Sequence, residues 1–173
     1  MEMYLIRHTA PDIEKGVCYG QSDVPLIKPF AEAFARVEEE LADVEVIYSS
    51  PLSRCKLLAE YLGEERGVPV IEDVRLMELN FGVWEMQRWD DIEPAVLLPW
   101  MDNYETIRCP GGESYGDLVA RVQAFVDGVR EAENRKVAVV THGGVIRAFY
   151  AVLHGMSLKD SMGVEVKYGG IYR

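Results

Sequence analysis

Short apolar runs alternate along this chain with longer segments of helical periodicity, and that alternation predicts an architecture. Residues 3–6 read as a buried strand, and 7–28 as a loop broken by Gly16, Gly20, Pro25 and Pro29. Phe30, Ala33, Phe34, Val37 and Leu41 then recur at helical spacing with glutamates opposite, which makes 29–42 an amphipathic helix. Val44 to Tyr48 supplies a second strand. Ser50 is expected to cap the next helix, with Pro51 at its first position and Gly63 as its stop. Leu52, Cys55, Leu58, Ala59 and Leu62 line its inner face.

A third strand covers 68–71, after which the rhythm breaks. Residues 80–110 intersperse Trp84, Trp89, Trp100 and Tyr104 with Pro94, Pro99 and Pro110, so a short cap-like insertion without a long helix is expected. Ser114-Tyr115-Gly116-Asp117 then reads as a capping box. It opens a helix whose inner face is Leu118, Val122, Phe125, Val126 and Val129. A fourth strand spans 136–141, and Gly143 and Gly144 allow a tight turn into a last helix. That helix faces Val145, Ile146, Phe149 and Leu153 inward and ends at Gly155. Residues 164–172 read as a final edge strand. Strands alternating with helices give an α/β class, a three-layer α/β/α arrangement with a mostly parallel central sheet.

With 173 residues, 49% of them hydrophobic and 27% charged, the chain can bury a core without disulfides or metal, and 1–173 is expected to be one domain. A formal charge of -11 argues against nucleic acid or an anionic membrane as partner, since both need a basic footprint. Any anionic ligand therefore needs a local basic pocket. Met1-Glu2-Met3 runs directly into the first strand, leaving no room for an export leader, and no apolar stretch approaches membrane-spanning length. Cys18, Cys55 and Cys109 contain no C-x-x-C pair and are expected to be packing residues in a reduced, cytoplasmic setting. Oligomeric state is not encoded in any of these features.

Two of the three histidines sit where strands should end: His8 after Tyr4-Leu5-Ile6-Arg7, and His142 after Val137 to Thr141. In open α/β sheets the ligand crevice lies beyond the carboxyl ends of the strands. Arg54, in the first turn of the second helix, belongs to the same edge. Helix N-termini present unpaired N–H groups, and Arg7 and Arg54 add fork-shaped donors that match phosphate oxygens. Phosphoryl transfer needs a nucleophile, charge stabilisation and a proton for the leaving oxygen. His8 and His142 are candidates for nucleophile and oxyanion partner, in an order the spacing does not assign. Glu78, before Gly82, is the candidate general acid, with Glu72, Glu85 and Glu113 as competitors. The scheme requires no metal and no cofactor.

The motifs in order are Arg7-His8-Thr9, Ser50-Pro51-Leu52-Ser53-Arg54, Glu78 to Glu85 with Gly82-Val83-Trp84-Glu85, Gly111-Gly112-Glu113-Ser114, and Thr141-His142-Gly143-Gly144. Together they resemble the histidine phosphatase superfamily, the phosphoglycerate mutase-like proteins, over nearly the whole chain. The resemblance implies that His8 is the nucleophile, that Arg7, Arg54 and His142 form the phosphate pocket, and that Glu78 is the proton donor. It also implies that Gly20, Gln21 and Gly143 touch a small-molecule phosphate ester. Cys18 to Leu26 and the short length are most similar to the α-ribazole phosphatase branch, which removes phosphate from a cobalamin precursor. Thr9 and Asn80 depart from the family's commoner glycine and aspartate.

Other readings compete. A broad-specificity sugar or nucleotide phosphatase or a mutase would carry the same motifs, and a noncatalytic phosphate-ligand binder would keep only the pocket. Gly112-Glu113-Ser114-Tyr115-Gly116 also fits the serine-hydrolase elbow, but no buried strand precedes Ser114, which is explained as a helix cap. The three tryptophans are read as the insertion's own core in preference to an aromatic wall for a ligand, Arg147 as a partner for an acidic neighbour, and His154 as a surface residue.

Overall fold

The computed structural model describes residues 1–132 and 134–173. Its centre is a five-stranded sheet of order β3-β2-β4-β1-β5, made from β1 (Glu2–Arg7), β2 (Val46–Ser49), β3 (Val70–Glu72), β4 (Lys136–Thr141) and β5 (Ile171–Tyr172). All neighbouring pairs are parallel except β1 with β5. The predicted three-layer α/β/α architecture is therefore present.

Strand pleating divides the core. Met3 and Leu5 of β1, Val46 of β2, and Val137 and Val139 of β4 face one side, where α4 (Tyr115–Glu131) and α5 (Gly143–His154) pack through Leu118, Val122, Phe125, Ile146 and Phe149. Tyr4, Ile6, Ile47, Ala138 and Val140 face the other, against α1 (Ala31–Glu40) and α2 (Ser53–Arg66). Successive strand residues point to opposite faces, so strands covered on both sides read as continuous apolar runs.

Several boundaries differ from the sequence reading for physical reasons. Ser50 and Pro51 lie outside α2, whose N-cap is Leu52, and Ser50 serves the site described below. Gly63 does not stop α2: it is buried against Val68 and Val70, and the helix runs on to Arg66 until Gly67 takes the left-handed conformation, φ 65°. The insertion holds only a nine-residue helix, α3 (Pro94–Asp102), with Pro94 in its first turn, where proline is tolerated, and Pro99 inside it, in keeping with the expected lack of a long helix. The last strand shrinks to Ile171–Tyr172. A five-residue helix, α6 (Leu158–Met162), was too short to leave a periodic signature.

The capping box is formed as expected. Ser114 Oγ accepts from Asp117 N at 3.1 Å, and the Asp117 carboxylate accepts from Ser114 N at 2.9 Å. Ser114→Ala should lower unfolding free energy by about 1 kcal/mol, read from urea denaturation, because one orphan N–H of α4 loses its acceptor.

Candidate active site

Sheet register assembles the site. Arg7 pairs with Thr141 and Ser49 with Val140, so the strands β1, β4 and β2 end level with one another. The next residue on each continues the ladder: His8 N donates to Thr141 O at 3.1 Å, and Ser50 N donates to Val140 O at 3.0 Å. His8, Ser50 and His142 thus emerge side by side. The two imidazole centroids are 5.2 Å apart at an interplanar angle of 64°, and both rings are buried. His142 Nε2 shares a hydrogen bond of 2.8 Å with Ser50 Oγ and lies 3.4 Å from Cys55 Sγ.

Thr9 O lies 2.7 Å from His8 Nδ1. A carbonyl only accepts, so Nδ1 carries the proton and Nε2 keeps a free lone pair. Any residue at position 9 supplies that carbonyl, which makes the departure at Thr9 neutral for this contact.

Both predicted arginines reach the same edge. Arg54 is fully buried, and its two terminal nitrogens donate to Ser22 O at 2.8 Å and Gly20 O at 2.5 Å. Arg7 donates to Val166 O at 2.6 Å and stacks under Tyr168, 3.8 Å from the ring centre. Tyr19 covers Arg54 at 5.1 Å. Each guanidinium keeps a buried Nε without a partner, and neither meets a carboxylate among the described residues. The hydrogen bonds that hold these cations go to main-chain oxygens, which carry no net charge.

Glu78 is the carboxylate that approaches this cluster. Its oxygens accept from Leu79 N at 2.9 Å and from Gly144 N at 3.1 Å, at the N-terminus of α5. The sequence reading made Gly143 and Gly144 a turn, but they are the first residues of the helix itself, directly after the N-cap His142. Their missing side chains serve close approach. A Cβ on Gly144 would overlap the Glu78 carboxylate, and one on Gly143 would sit 3.3 Å from Arg7 Cζ. Competing glutamates are occupied elsewhere. Glu72 pairs with Lys56 at 2.7 Å, Glu85 accepts from Gln21 N, Ser22 Oγ and Phe81 N, and Glu113 pairs with Arg121 at 2.9 Å.

Arg121 is a residue that sequence reasoning missed. From α4 it donates to Arg75 O at 2.6 Å and Glu78 O at 2.9 Å while gripping Glu113, which accepts in turn from Asn80 N at 2.9 Å. The segment bearing Glu78 is fixed from both flanks. Asn80 Oδ1 accepts from Gly82 N at 2.8 Å, a bond that an aspartate would also make, so the second departure preserves the turn.

Burial pushes the His8 pKa down to about 3, with Arg54 and Arg7 adding to the shift against the raising effect of the Thr9 carbonyl. His142 is lowered well below the usual value by burial first, then by His8, Arg54, Arg121 and Arg7. Both imidazoles are neutral across the ordinary pH range. Burial likewise pushes the Cys55 thiol up, so it remains a thiol.

Other expectations resolve directly. Gln21 turns its amide to Glu78 O at 3.0 Å, which ties the first loop to the glutamate's segment. Trp84, Trp89 and Trp100 pack on one another and on Phe81, with Tyr104 against Trp100, forming the insertion's own core with Cys18 and Cys109. All three cysteines are buried and free. Arg147 donates to Val164 O at 3.0 Å, a main-chain oxygen in place of the expected acid, because the chain after α6 passes over it. His154 is exposed. Among the described residues no three His, Cys, Asp or Glu side chains gather as a metal-ligand set, and no helix is long and apolar enough to cross a membrane.

This geometry has relatives. A phosphoserine phosphatase of Hydrogenobacter thermophilus is 29% identical over 91% of this chain and 78% of its own, and a probable phosphoglycerate mutase of Erwinia tasmaniensis is 27% identical over 90% and 76%. Among solved structures, the α-ribazole phosphatase of Shigella flexneri superposes with a TM-score of 0.90 at 25% identity, covering 99% of this chain and 88% of that one. A mycobacterial glucosyl-3-phosphoglycerate phosphatase, also solved with VO3 and with inorganic phosphate, gives 0.87 at 26%, covering 98% and 87%. The model of the histidine phosphatase superfamily (branch 1) matches residues 3–173, and the chain belongs to that superfamily.

Proposed function

We propose that this chain is a phosphoric monoester hydrolase that works through a phosphohistidine at His8, without metal or cofactor. The observation that carries the reading is the pairing of a buried guanidinium, Arg54, and a half-buried one, Arg7, with an imidazole whose Nε2 lone pair is free. Arg7 and Arg54 neutralise the phosphoryl oxygens, and the charge of a bound dianion raises the affinity of His142 for a proton, so that it becomes a donor to them. His8 Nε2 attacks phosphorus, the ester P–O bond breaks, and the Glu78 carboxyl gives its proton to the leaving oxygen. Water then attacks the phosphohistidine, Glu78 takes a proton back, and the P–N bond breaks to release orthophosphate and neutral His8.

The substrate to test first is α-ribazole 5′-phosphate. That choice is supported by the Cys18 to Leu26 segment and by the likeness to the Shigella flexneri enzyme. The likeness to phosphoserine phosphatase, glucosyl-3-phosphoglycerate phosphatase and phosphoglycerate mutase makes those substrates the comparison set.

Rapid quenching with isotope-labelled ester should trap label on His8, and His8→Ala should abolish both label and turnover; label on another side chain would refute the mechanism. Glu78→Gln should slow alkyl esters by roughly 10²–10⁴ and aryl phosphates much less, because a phenolate leaves without a proton. Equal slowing of the two would remove Glu78 from the acid role.

The neutral imidazole also has a pH signature. Below about 6.5 the unfolded chain protonates its histidines while folded His8 resists until about 3, so folding stability falls across that window as pH drops. At pH 5 the loss from His8 alone is about 2 kcal/mol, at ~1.4 kcal/mol per pH unit. Urea denaturation at pH 7 and pH 5 should show His8→Asn losing less stability than wild type by about that amount; an unchanged difference would mean that His8 is not held neutral.

A further inference from the structure

The phosphate pocket is roofed by two tyrosines. Tyr168 lies over Arg7, with its ring centre 5.6 Å from that of His8; Tyr19 lies over Arg54; and their hydroxyls meet at 3.2 Å. Both residues also line one cleft of about 400 Å³. Its apolar walls are Ala10, Pro11, Ile13, Val17 and Ile27, joined by Glu14, Lys15 and Gly16, all from the loop between β1 and α1. We propose that this cleft is the leaving-group subsite and that the chain acts on phosphate monoesters with an apolar leaving group. The inference rests on the hydrolase reading above.

Three observations carry it. The first is adjacency: Tyr19 and Tyr168, which lie over Arg54 and Arg7, also line the cleft, so a leaving group that passes the edges of these rings enters it. The second is chemistry. The only charged residues on the cleft are Glu14 and Lys15, one of each sign, and Glu14 also pairs with Arg88. A leaving group bearing its own carboxylate finds no net positive field there, whereas an apolar one meets five hydrocarbon walls and two aromatic rings.

The third is rigidity. Asp12 N donates to Pro25 O at 2.7 Å and Ile27 N to Ala10 O at 3.0 Å, which fixes the two sides of the loop against each other. Cys18 N donates to Gln87 O at 2.8 Å and Trp89 N to Gly16 O at 2.9 Å, which ties the loop to the insertion. The aromatic core of the insertion therefore buttresses the cleft from behind. A half-exposed Ile27, 51% accessible on this rigid frame, is an apolar surface whose burial by ligand costs little ordering.

Alkylphosphonates, which cannot be hydrolysed, separate binding from chemistry. Calorimetry with the full chain should give affinities that rise by up to about fourfold per methylene from methylphosphonate to hexylphosphonate, until the cleft is filled. Ile27→Gln should weaken hexylphosphonate by about threefold and leave methylphosphonate within about twofold. Equal or undetectable binding of the two phosphonates, or equal weakening by Ile27→Gln, overturns the subsite even if esters are turned over. A rising series with no ester turned over and no label on His8 upholds the cleft while the hydrolase reading fails.

Discussion

Positive charge gathered at one sheet edge, with no carboxylate among the described residues to answer it, is the constraint around which this molecule is built. Arg54 is fully buried on hydrogen bonds to two main-chain oxygens, and Arg7 is pinned to a third. Removing a guanidinium from water costs several kcal/mol even after relaxation, and carbonyl dipoles return only part of it. Such an arrangement persists only where the surrounding fold over-determines it. The strand ladder holds Arg7, α2 holds Arg54, Glu85 holds the loop whose carbonyls Arg54 meets, and a formal net charge of -11 for the whole chain makes the contrast with the pocket sharper.

The same local field controls the imidazoles. In a solvated site His8 and His142 would titrate near neutrality, but burial beside two cations keeps both uncharged. A nucleophilic imidazole must be neutral, whereas an imidazole that donates to phosphoryl oxygens works best when charged. One site meets both needs only if the ligand's own charge reverses the field. The geometry separates the two rings accordingly: His8 is fixed through Nδ1 by a carbonyl, and His142 meets a hydroxyl that can donate or accept.

Much of this was legible in the sequence, and the rest was not, for identifiable reasons. His8, Arg54 and His142 could be placed at one edge because strand ends converge in a parallel sheet, and the register of β1, β4 and β2 brings them there. The insertion's tryptophans read correctly as a core. Arg121, Tyr19 and Tyr168 left no signal, since an arginine on an amphipathic helix and tyrosines in loops are ordinary. Ser50 misled because a serine before Pro-x-x-Arg satisfies every rule for a helix cap. Its hydroxyl faces His142, and a cap rule takes no account of a neighbour from another strand. Gly143 and Gly144 misled similarly: local rules assign paired glycines to a turn, while here tertiary neighbours, Arg7 and Glu78, demand their lack of side chains.

On the proposed reading, chemistry and recognition fall to different parts of the chain. The proposed reacting groups His8, Arg54 and His142 sit at strand ends and helix starts, where backbone hydrogen bonds fix the chain. The proposed leaving-group walls come from the loop between β1 and α1; they run from the buried Pro11 to the half-exposed Ile27, and their frame is set by main-chain bonds that any residue but proline can make. A change at Ile13 or Ile27 therefore alters what the cleft accepts without altering how Arg7, Arg54 or Glu78 is held. That division gives a physical account of how relatives sharing about a quarter of their residues with this chain, and nearly all of its fold, can bear the names of enzymes acting on different esters.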